Sequence, residues 1–281
     1  MPFPLRDRTL LITGGARGIG LATARAALAR GARVTLVDLD AVECERAAAS
    51  LPTDRVLAIG GDVTDRGEMQ RAVAATVERF GSLDAVSANA GIASRASTFI
   101  GTPIERFERV LEVNLGGVHR TVSAALPEIV ARQGHIVVVS SVYAFMNGMG
   151  EAAYAMSKAA VEQFGRALRS ELAHRGVGVT VAYFGFIDTD MVHHALDEDP
   201  FAVRMLERAP APLRKRLPPD AAGTAIVDAI ESRRSRVIRP RRWEAMWALR
   251  GFTGPLLDML ALRDSETQAL LADLESRDAT G

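Results

Sequence analysis

The feature that most constrains this chain is the alternation of short, uniformly apolar runs with longer stretches of helical periodicity. Thr9 to Thr13 reads as a strand, Gly18 to Arg30 as a helix, Arg33 to Val37 as a strand and Ala41 to Leu51 as a helix. Further strands are expected at Arg55 to Ile59, Leu83 to Ala88, His135 to Ser140, Gly178 to Tyr183 and Arg236 to Ile238. The helices between them are expected at Asp65 to Phe80, about Pro103 to Arg132, Tyr154 to Arg175 and Asp220 to Ser232. Because the strands lack polar alternation, both of their faces must be covered by helices. This predicts an α/β fold, a doubly wound parallel sheet of about seven strands with helices on both faces. The expected unit spans residues 1–238, with the loosened stretch 188–219 as a loop-like lid and a helical C-terminal extension over 239–281.

Composition narrows the partners. Thirty-four basic residues balance thirty-four acidic ones, which argues against nucleic acid as a partner. Cys44 is the only cysteine, so an internal disulfide and a thiolate metal cluster are excluded and a cytoplasmic setting is expected. The run Leu10-Leu11-Ile12 is too short for a signal peptide, and no stretch is long enough to span a bilayer.

Thr13-Gly14-Gly15-Ala16-Arg17-Gly18-Ile19-Gly20 lies between the first strand and the first helix. Glycines there let backbone N–H groups approach a pyrophosphate at a helix N-terminus. Asp38 ends the second strand, where a carboxylate can accept from adenosine ribose hydroxyls and repel a 2′-phosphate, which favours NAD over NADP. Arg17 pulls toward NADP, since a guanidinium can meet a 2′-phosphate. Asp38 has a structural alternative, as the N-cap of the following helix.

Tyr154 and Lys158 lie four apart on an expected helix and so share a face. The chain has only two lysines, Lys158 and Lys215, against its many arginines. Tyr143 and Tyr183 carry Asn147 and Ile187 at the same offset, so Tyr154 alone has the lysine. A phenol titrates near ~10, and a neighbouring ammonium with oxidised nicotinamide would bring it down for proton exchange.

With these residues in view, the chain resembles the short-chain dehydrogenase/reductase family in its single-domain branch, over roughly residues 8–189. Thr13 to Gly20 matches the family's glycine loop, including Gly14, Arg17, Gly18, Ile19 and Gly20. Asp62-Val63 matches its adenine-contact pair, Asn89-Ala90-Gly91 its turn after the fourth strand, and Ile187 and Thr189 its nicotinamide contacts. The resemblance implies a Rossmann-like fold and a catalytic set of Asn114, Ser141, Tyr154 and Lys158. In that set Tyr154 exchanges the hydroxyl proton and Ser141 bonds the reacting oxygen. Lys158 lowers the tyrosine pKa and holds the nicotinamide ribose, and Asn114 anchors a water. Structural alternatives are strand-end capping for Ser140 or Ser141 and backbone satisfaction in a helix break for Asn114. Phe184-Gly185 stands where the family has Pro-Gly, which removes a φ restraint and leaves the local path open.

The implied reaction is hydride transfer between NAD and a secondary alcohol or ketone. Its rivals are an NADPH-dependent carbonyl reductase and a non-catalytic NAD sensor or scaffold. An apolar substrate is expected from Val142, Phe145, Met146 and Met149 after the serine, and from Phe186, Met191, Phe201, Met205 and Leu206 in and before the lid. His193 and His194 lack a third ligand, so no metal is expected. Arg233, Arg234, Arg236, Arg239, Arg241 and Arg242 lead into Trp243, Met246, Trp247, Leu249 and Phe252, a basic amphipathic segment. It suits packing over the pocket or on another subunit better than peripheral contact with anionic lipid. The family likeness of the helices near Pro103 and Tyr154 implies a homodimer or homotetramer.

Overall fold

Seven strands alternate with crossover helices in a computed structural model that describes residues 2–51, 53–208 and 210–279. The strands are β1 (Thr9–Thr13), β2 (Arg33–Asp38), β3 (Val56–Gly60), β4 (Ala85–Ala88), β5 (His135–Ser141), β6 (Gly178–Phe184) and β7 (Arg236–Arg239). They form one parallel sheet in the order β3-β2-β1-β4-β5-β6-β7. Successive side chains serve opposite faces. Leu10, Ile12, Val137 and Val139 enter one apolar cluster, while Leu11, Ile136 and Val138 enter the other.

The first cluster is closed by α1 (Gly18–Ala29) and α2 (Ala41–Ala49), through Ala24, Ala27, Cys44 and Ala47. The second is closed by α3 (Arg66–Phe80), through Met69, Ala72 and Val73. Asp40 caps α2 by accepting from the Glu43 N–H at 3.0 Å, and Asp65 caps α3 by accepting from the Glu68 N–H at 2.8 Å.

The expected long helix from Pro103 is two helices, α4 (Ile104–Leu111) and α5 (Gly117–Ala131), joined by a π-helical turn over Glu112–Gly116. Asn114 sits in that turn, fully buried. The helix carrying Tyr154 is α6 (Ala152–Leu172), and it starts two residues earlier than its expected boundary.

The stretch expected as a loop, 188–219, is largely helical. It contains α7 (Asp190–Val192), a π-helical turn over His193–Asp197, α8 (Pro200–Arg208) and α9 (Ala211–Arg214). Its prolines are not breakers, because Pro200 occupies the first turn of α8, where no intrahelical N–H is needed. Asp199 accepts from the N–H groups of Phe201 at 2.8 Å and Ala202 at 3.3 Å, which starts α8. A bridge between Ile187 and Leu217 closes the root of the segment.

After α10 (Pro219–Glu231), which joins the first cluster, and β7, the chain ends in α11 (Trp243–Ala248), α12 (Arg250–Arg263) and α13 (Ser265–Ala279). The tryptophans of the basic segment turn inward. Trp243 is buried in the second cluster, and Trp247 packs on Tyr183 with Arg236 and Arg250 over its ring. Leu270 and Leu274 of α13 return to pack on Ala96 and Phe201. Among the described residues no helix is long and apolar enough to cross a membrane.

Candidate active site

The strand order reverses at β1 and β4, and loops leaving the carboxyl ends of adjacent strands diverge there to open a cleft. The cleft encloses about 1000 Å³. Its walls bring together Gly14, Arg17, Gly18, Ile19, Asp38, Asp62, Val63, Asn89, Ala90, Gly91, Tyr154, Lys158, Ile187 and Thr189.

At one end the glycine loop leaves β1 with Gly14 at φ +63° and Gly18 at φ +53°, conformations that disfavour a side chain. Gly20 is constrained by space instead, since a Cβ there would lie 2.0 Å from the Gly14 carbonyl oxygen. The loop is tied to the turn after β4 by Asn89. Its amide donates to the carbonyls of Thr13 at 3.0 Å and Gly14 at 3.2 Å, while the Thr13 hydroxyl accepts from the N–H groups of Asn89 and Ala90.

Asp38 reaches back to accept from the Ala16 N–H at 3.0 Å, so it fixes the loop as well as lining the cleft. It is not the cap of α2, a place Asp40 takes. Arg17 is exposed and directed to Asp190 at the start of α7, 3.9 Å away. Asp62 accepts from the N–H and hydroxyl of Thr64, both at 2.8 Å. Its burial would raise its pKa, but the Thr64 bonds and Arg109 outweigh that and hold the carboxyl below its ordinary value. Val63 packs so closely on Gly117 that a Cβ there would come within 2.6 Å of it.

At the inner end, Tyr154 and Lys158 share the cleft-facing side of α6. Lys158 is buried, and its Nζ donates to the Val139 carbonyl at 3.0 Å and lies 5.5 Å from the centre of the Tyr154 ring. Burial pushes the ammonium down to about 8. Burial pushes the Tyr154 phenol up to about 12; a hydrogen bond with Ser141 works against the rise, and Glu151 adds to it. Lowering by Lys158 is therefore not what governs the tyrosine in the protein alone. Burial disfavours the charge on the lysine, and one of its N–H groups is engaged by the Val139 carbonyl.

Ser141 ends β5, donates to the Phe184 carbonyl at 3.2 Å and accepts from the Tyr143 N–H at 3.3 Å. It thus caps the short turn over Val142–Ala144 while standing beside Tyr154. Asn114 uses both ends of its amide on Ile92, accepting from its N–H at 2.7 Å and donating to its carbonyl at 2.9 Å, and also donates to the Ser157 hydroxyl at 3.1 Å. It does satisfy backbone in a helix break. Behind it, Gly91 leaves room that a Cβ would take from the Asn114 Oδ1, 3.1 Å away, and the Lys158 Nζ, 3.4 Å away.

Phe184 keeps β6 in register to its end, opposite Ser141 on one side and Arg239 on the other. The strand then turns at Gly185, where a Cβ would fall 2.5 Å from the Trp243 indole nitrogen. The turn is thus shaped by the C-terminal extension.

The expected apolar substrate wall is corrected by the structure. Of the nine residues, Met191 lines the cleft. Val142, Phe145, Met146 and Phe186 pack into the second cluster, Phe201 and Met205 pack with α13, Leu206 is half-buried in α8, and Met149 faces a separate shallow groove. Periodicity marked them as apolar but not where they pack. The lid side of the cleft is instead lined by Ile92, Ala93, Val192 and Ala195 beside Met191, together with the charged or polar Arg95, His194, Glu198 and Asp199. Asp199, 1% exposed, pairs with Arg95 at 3.0 Å and with Arg277 of α13 at 2.9 Å. His193 is held between Asp188 at 3.1 Å and Asp197 at 2.7 Å. Arg95, Asp199 and Arg277 carried no motif and were not legible in the sequence.

The profile described as short chain dehydrogenase matches residues 8–200. The chain is 36% identical over 210 residues to 2-(R)-hydroxypropyl-CoM dehydrogenase of Xanthobacter autotrophicus, covering 73% of this chain and 84% of that protein. It is 35% identical over 193 residues to 1-deoxy-11-beta-hydroxypentalenate dehydrogenase of Streptomyces exfoliatus, covering 67% and 70%. The solved structure of levodione reductase superposes with a TM-score of 0.77 at 27% identity, covering 84% of this chain and 96% of that one. With its seven-stranded parallel sheet, the chain belongs to the short-chain dehydrogenase/reductase family, as an NAD(P)-dependent oxidoreductase of secondary alcohols or ketones.

Proposed function

We propose that the enzyme uses NAD in preference to NADP and interconverts a secondary alcohol and its ketone with Tyr154 as the proton-exchanging residue. The observation that carries the reading is one continuous cleft with a glycine cradle and Asp38 at one end and Tyr154 and Lys158 at the other. The cradle suits a dinucleotide because it offers backbone where Gly14, Gly18 and Gly20 have no room or conformation for a side chain. Asp38 supports NAD, since its carboxylate would repel a 2′-phosphate, and Arg17 is directed toward Asp190. Gly14 to Gly20 would hold the pyrophosphate, Asp62 and Val63 the adenine, and Asn89, Ala90, Gly91, Ile187 and Thr189 the nicotinamide half.

When bound, the nicotinamide supplies the hydride acceptor, and its positive charge favours a phenolate nearby. Tyr154 takes the hydroxyl proton of the alcohol, or returns it to the ketone. Ser141 turns its hydroxyl from the Phe184 carbonyl to the reacting oxygen. Lys158 holds the ribose and steadies the phenolate, and Asn114, fixed by Ile92, holds the water that links Lys158 to solvent. Residues 1–238 form the Rossmann-like catalytic unit, with 188–219 as its lid, and the extension from 239 supports it through Trp243 at the Gly185 turn and Arg277 on Asp199.

The unburied apolar side chains of α12, including Phe252, 82% exposed, and Leu262, 76% exposed, support assembly as a homodimer or homotetramer. Peripheral lipid contact is the second reading of that helix, favoured by the arginines before it. The function is tested by screening secondary alcohols, including sterol-like and long-chain ones, for NADH formation by wild type and Tyr154→Phe. Turnover by the wild type that is lost in the variant is expected; turnover surviving in the variant contradicts the mechanism.

A further inference from the structure

Both carboxylate oxygens of the buried Asp199 are in use. Oδ1 accepts from the Phe201 and Ala202 N–H groups, and Oδ2 accepts from Arg95 Nε at 3.0 Å and Arg277 Nη1 at 2.9 Å. Arg277 alone would neutralise the acid, so the trio holds one positive charge more than it needs. That charge lies on the cleft side, because Arg95 is in the cleft wall and Arg277 stands behind Asp199. Arg95 uses only Nε on Asp199; among the described residues its Nη1 and Nη2 donate to no protein group. An exposed arginine ordinarily moves freely in water and marks nothing. Here one edge of the guanidinium is fixed by a buried carboxylate, so the other edge is presented with much of the ordering of a long side chain already done.

The chain that carries Arg95 is pinned at both ends to the start of α6. At Gly91 a Cβ would come 3.4 Å from Lys158 Nζ, and the next residue, Ile92, is tied to Asn114 by its N–H and its carbonyl. Further on, the Ser97 N–H donates to the Gly150 carbonyl at 2.9 Å, just before α6 begins. Tyr154 lies between Gly150 and Lys158 in the sequence, so the segment from Gly91 to Ser97 passes it, and both Arg95 and Tyr154 line the one cleft. The four residues from Gly91 to Arg95 span at most about 14 Å. The wall beside them is apolar, at Ile92, Ala93, Met191, Val192 and Ala195, where a charge acts more strongly than in open water. The other carboxylates of the lid wall have basic neighbours of their own: Glu198 has His194 at 3.9 Å, Asp190 has Arg17 at 3.9 Å and Asp188 has His193 at 3.1 Å.

We infer that the free edge of the Arg95 guanidinium receives a carboxylate of the substrate, whose two oxygens match its parallel N–H groups. This rests on the alcohol–ketone reading above and names its substrate class: a secondary alcohol or ketone with an acid at the far end of a short chain, rather than a hydrocarbon with one oxygen. The reacting oxygen goes to Tyr154 and Ser141, the acid goes to Arg95, and the apolar wall takes the carbons that join them. Arg95 is a binding residue and takes no part in proton exchange. Because the acid is held alike before and during hydride transfer, the contact lowers KM and leaves kcat nearly unchanged.

The test compares 4-oxopentanoate, 5-oxohexanoate and 6-oxoheptanoate with their methyl esters, which keep the ketone and the chain and lose the charge. kcat and KM with NADH are measured for wild type, Arg95→Ala and Arg95→Lys, with NADH affinity and thermal unfolding as checks that each variant is folded. At the best chain length the wild type is expected to favour the acid over its ester by about ten-fold or more in kcat/KM, carried by KM, the worth of a charge-assisted hydrogen bond. Arg95→Ala should bring the ratio near one, and Arg95→Lys, which keeps the charge and loses the fork, should hold part of it. A wild type that treats acid and ester alike at every length, turnover of neither included, overturns the inference. So does an Arg95→Ala variant that slows both by the same factor, as a purely structural role on Asp199 would. The two levels stay distinguishable. If secondary alcohols still yield NADH through Tyr154, only the carboxylate position falls; if turnover survives in Tyr154→Phe, the reading beneath it falls.

Discussion

At the nucleotide end of the cleft, the groups that shape the site are backbone atoms of the glycine loop, held by Asn89, Thr13 and Asp38 on neighbouring strand ends. At the end proposed for the substrate, the charged groups come from separate places: Arg95 after β4 and Asp199 in the 188–219 segment line the cleft, and Arg277 in the last helix backs Asp199. Ordinary packing around Ala96, Phe201, Leu270 and Leu274 keeps those places together. A wall of backbone tolerates almost no change, because a single Cβ collides with main chain. A wall of ion pairs and apolar contacts can be rebuilt with other residues. The cofactor end is therefore a fixed device and the substrate end an adjustable one.

The sharpest way to break this contrast is Gly20→Ala. Its Cβ would press on the Gly14 carbonyl, so NADH affinity should fall by about 100-fold or more, with lower thermal stability. Near-normal NADH binding by fluorescence titration would mean the cradle is not fixed. Next in size, Asp38→Ala should shift the ratio of NAD to NADP affinity toward NADP by about 10-fold or more, the worth of about 1.4 kcal/mol. An unchanged ratio would take the cofactor choice away from Asp38.

At the other end, Arg277→Ala removes one partner of a buried carboxylate while leaving Arg95. The prediction is a KM for the alcohol raised about three- to ten-fold with NADH affinity held within two-fold. Equal losses in both would deny that the ends are separable.

The smallest effect concerns the sheet beneath both ends. His135 is fully buried on β5, bonded to the Thr180 hydroxyl at 2.8 Å, and burial lowers its pKa from 6.5 to about 3. The unfolded chain takes up that proton below about pH 6.5 and the folded chain does not, so stability falls as pH drops from there toward 3. His135→Gln should flatten the decline in melting temperature over pH 6.5 to 4.5 by a few degrees. An equally steep decline would assign acid sensitivity elsewhere.

How far each region was legible follows from the same contrast. The strands could be placed because buried two-faced strands need unbroken apolar runs, and the glycine loop because its conformation needs glycine. Tyr154 and Lys158 were visible through a spacing that any helix turns into one face, and the structure puts both on the cleft. The helices within 188–219 are not legible from the sequence, because its prolines and charges lie at helix starts and in ion pairs that only tertiary contacts reveal. The apolar residues after Ser141 were assigned to the substrate although they pack inward, since hydrophobicity reports burial without saying against what.

The account turns on Tyr154 acting in chemistry and not in cofactor binding. The direct measurement is a paired one on Tyr154→Phe: NADH affinity by fluorescence titration, and NADH formation from a secondary alcohol that the wild type turns over. The prediction is affinity within about three-fold of wild type with turnover reduced by 10²-fold or more, the usual worth of a positioned proton-transfer group. Turnover retained at the wild-type rate, with binding intact, would contradict it.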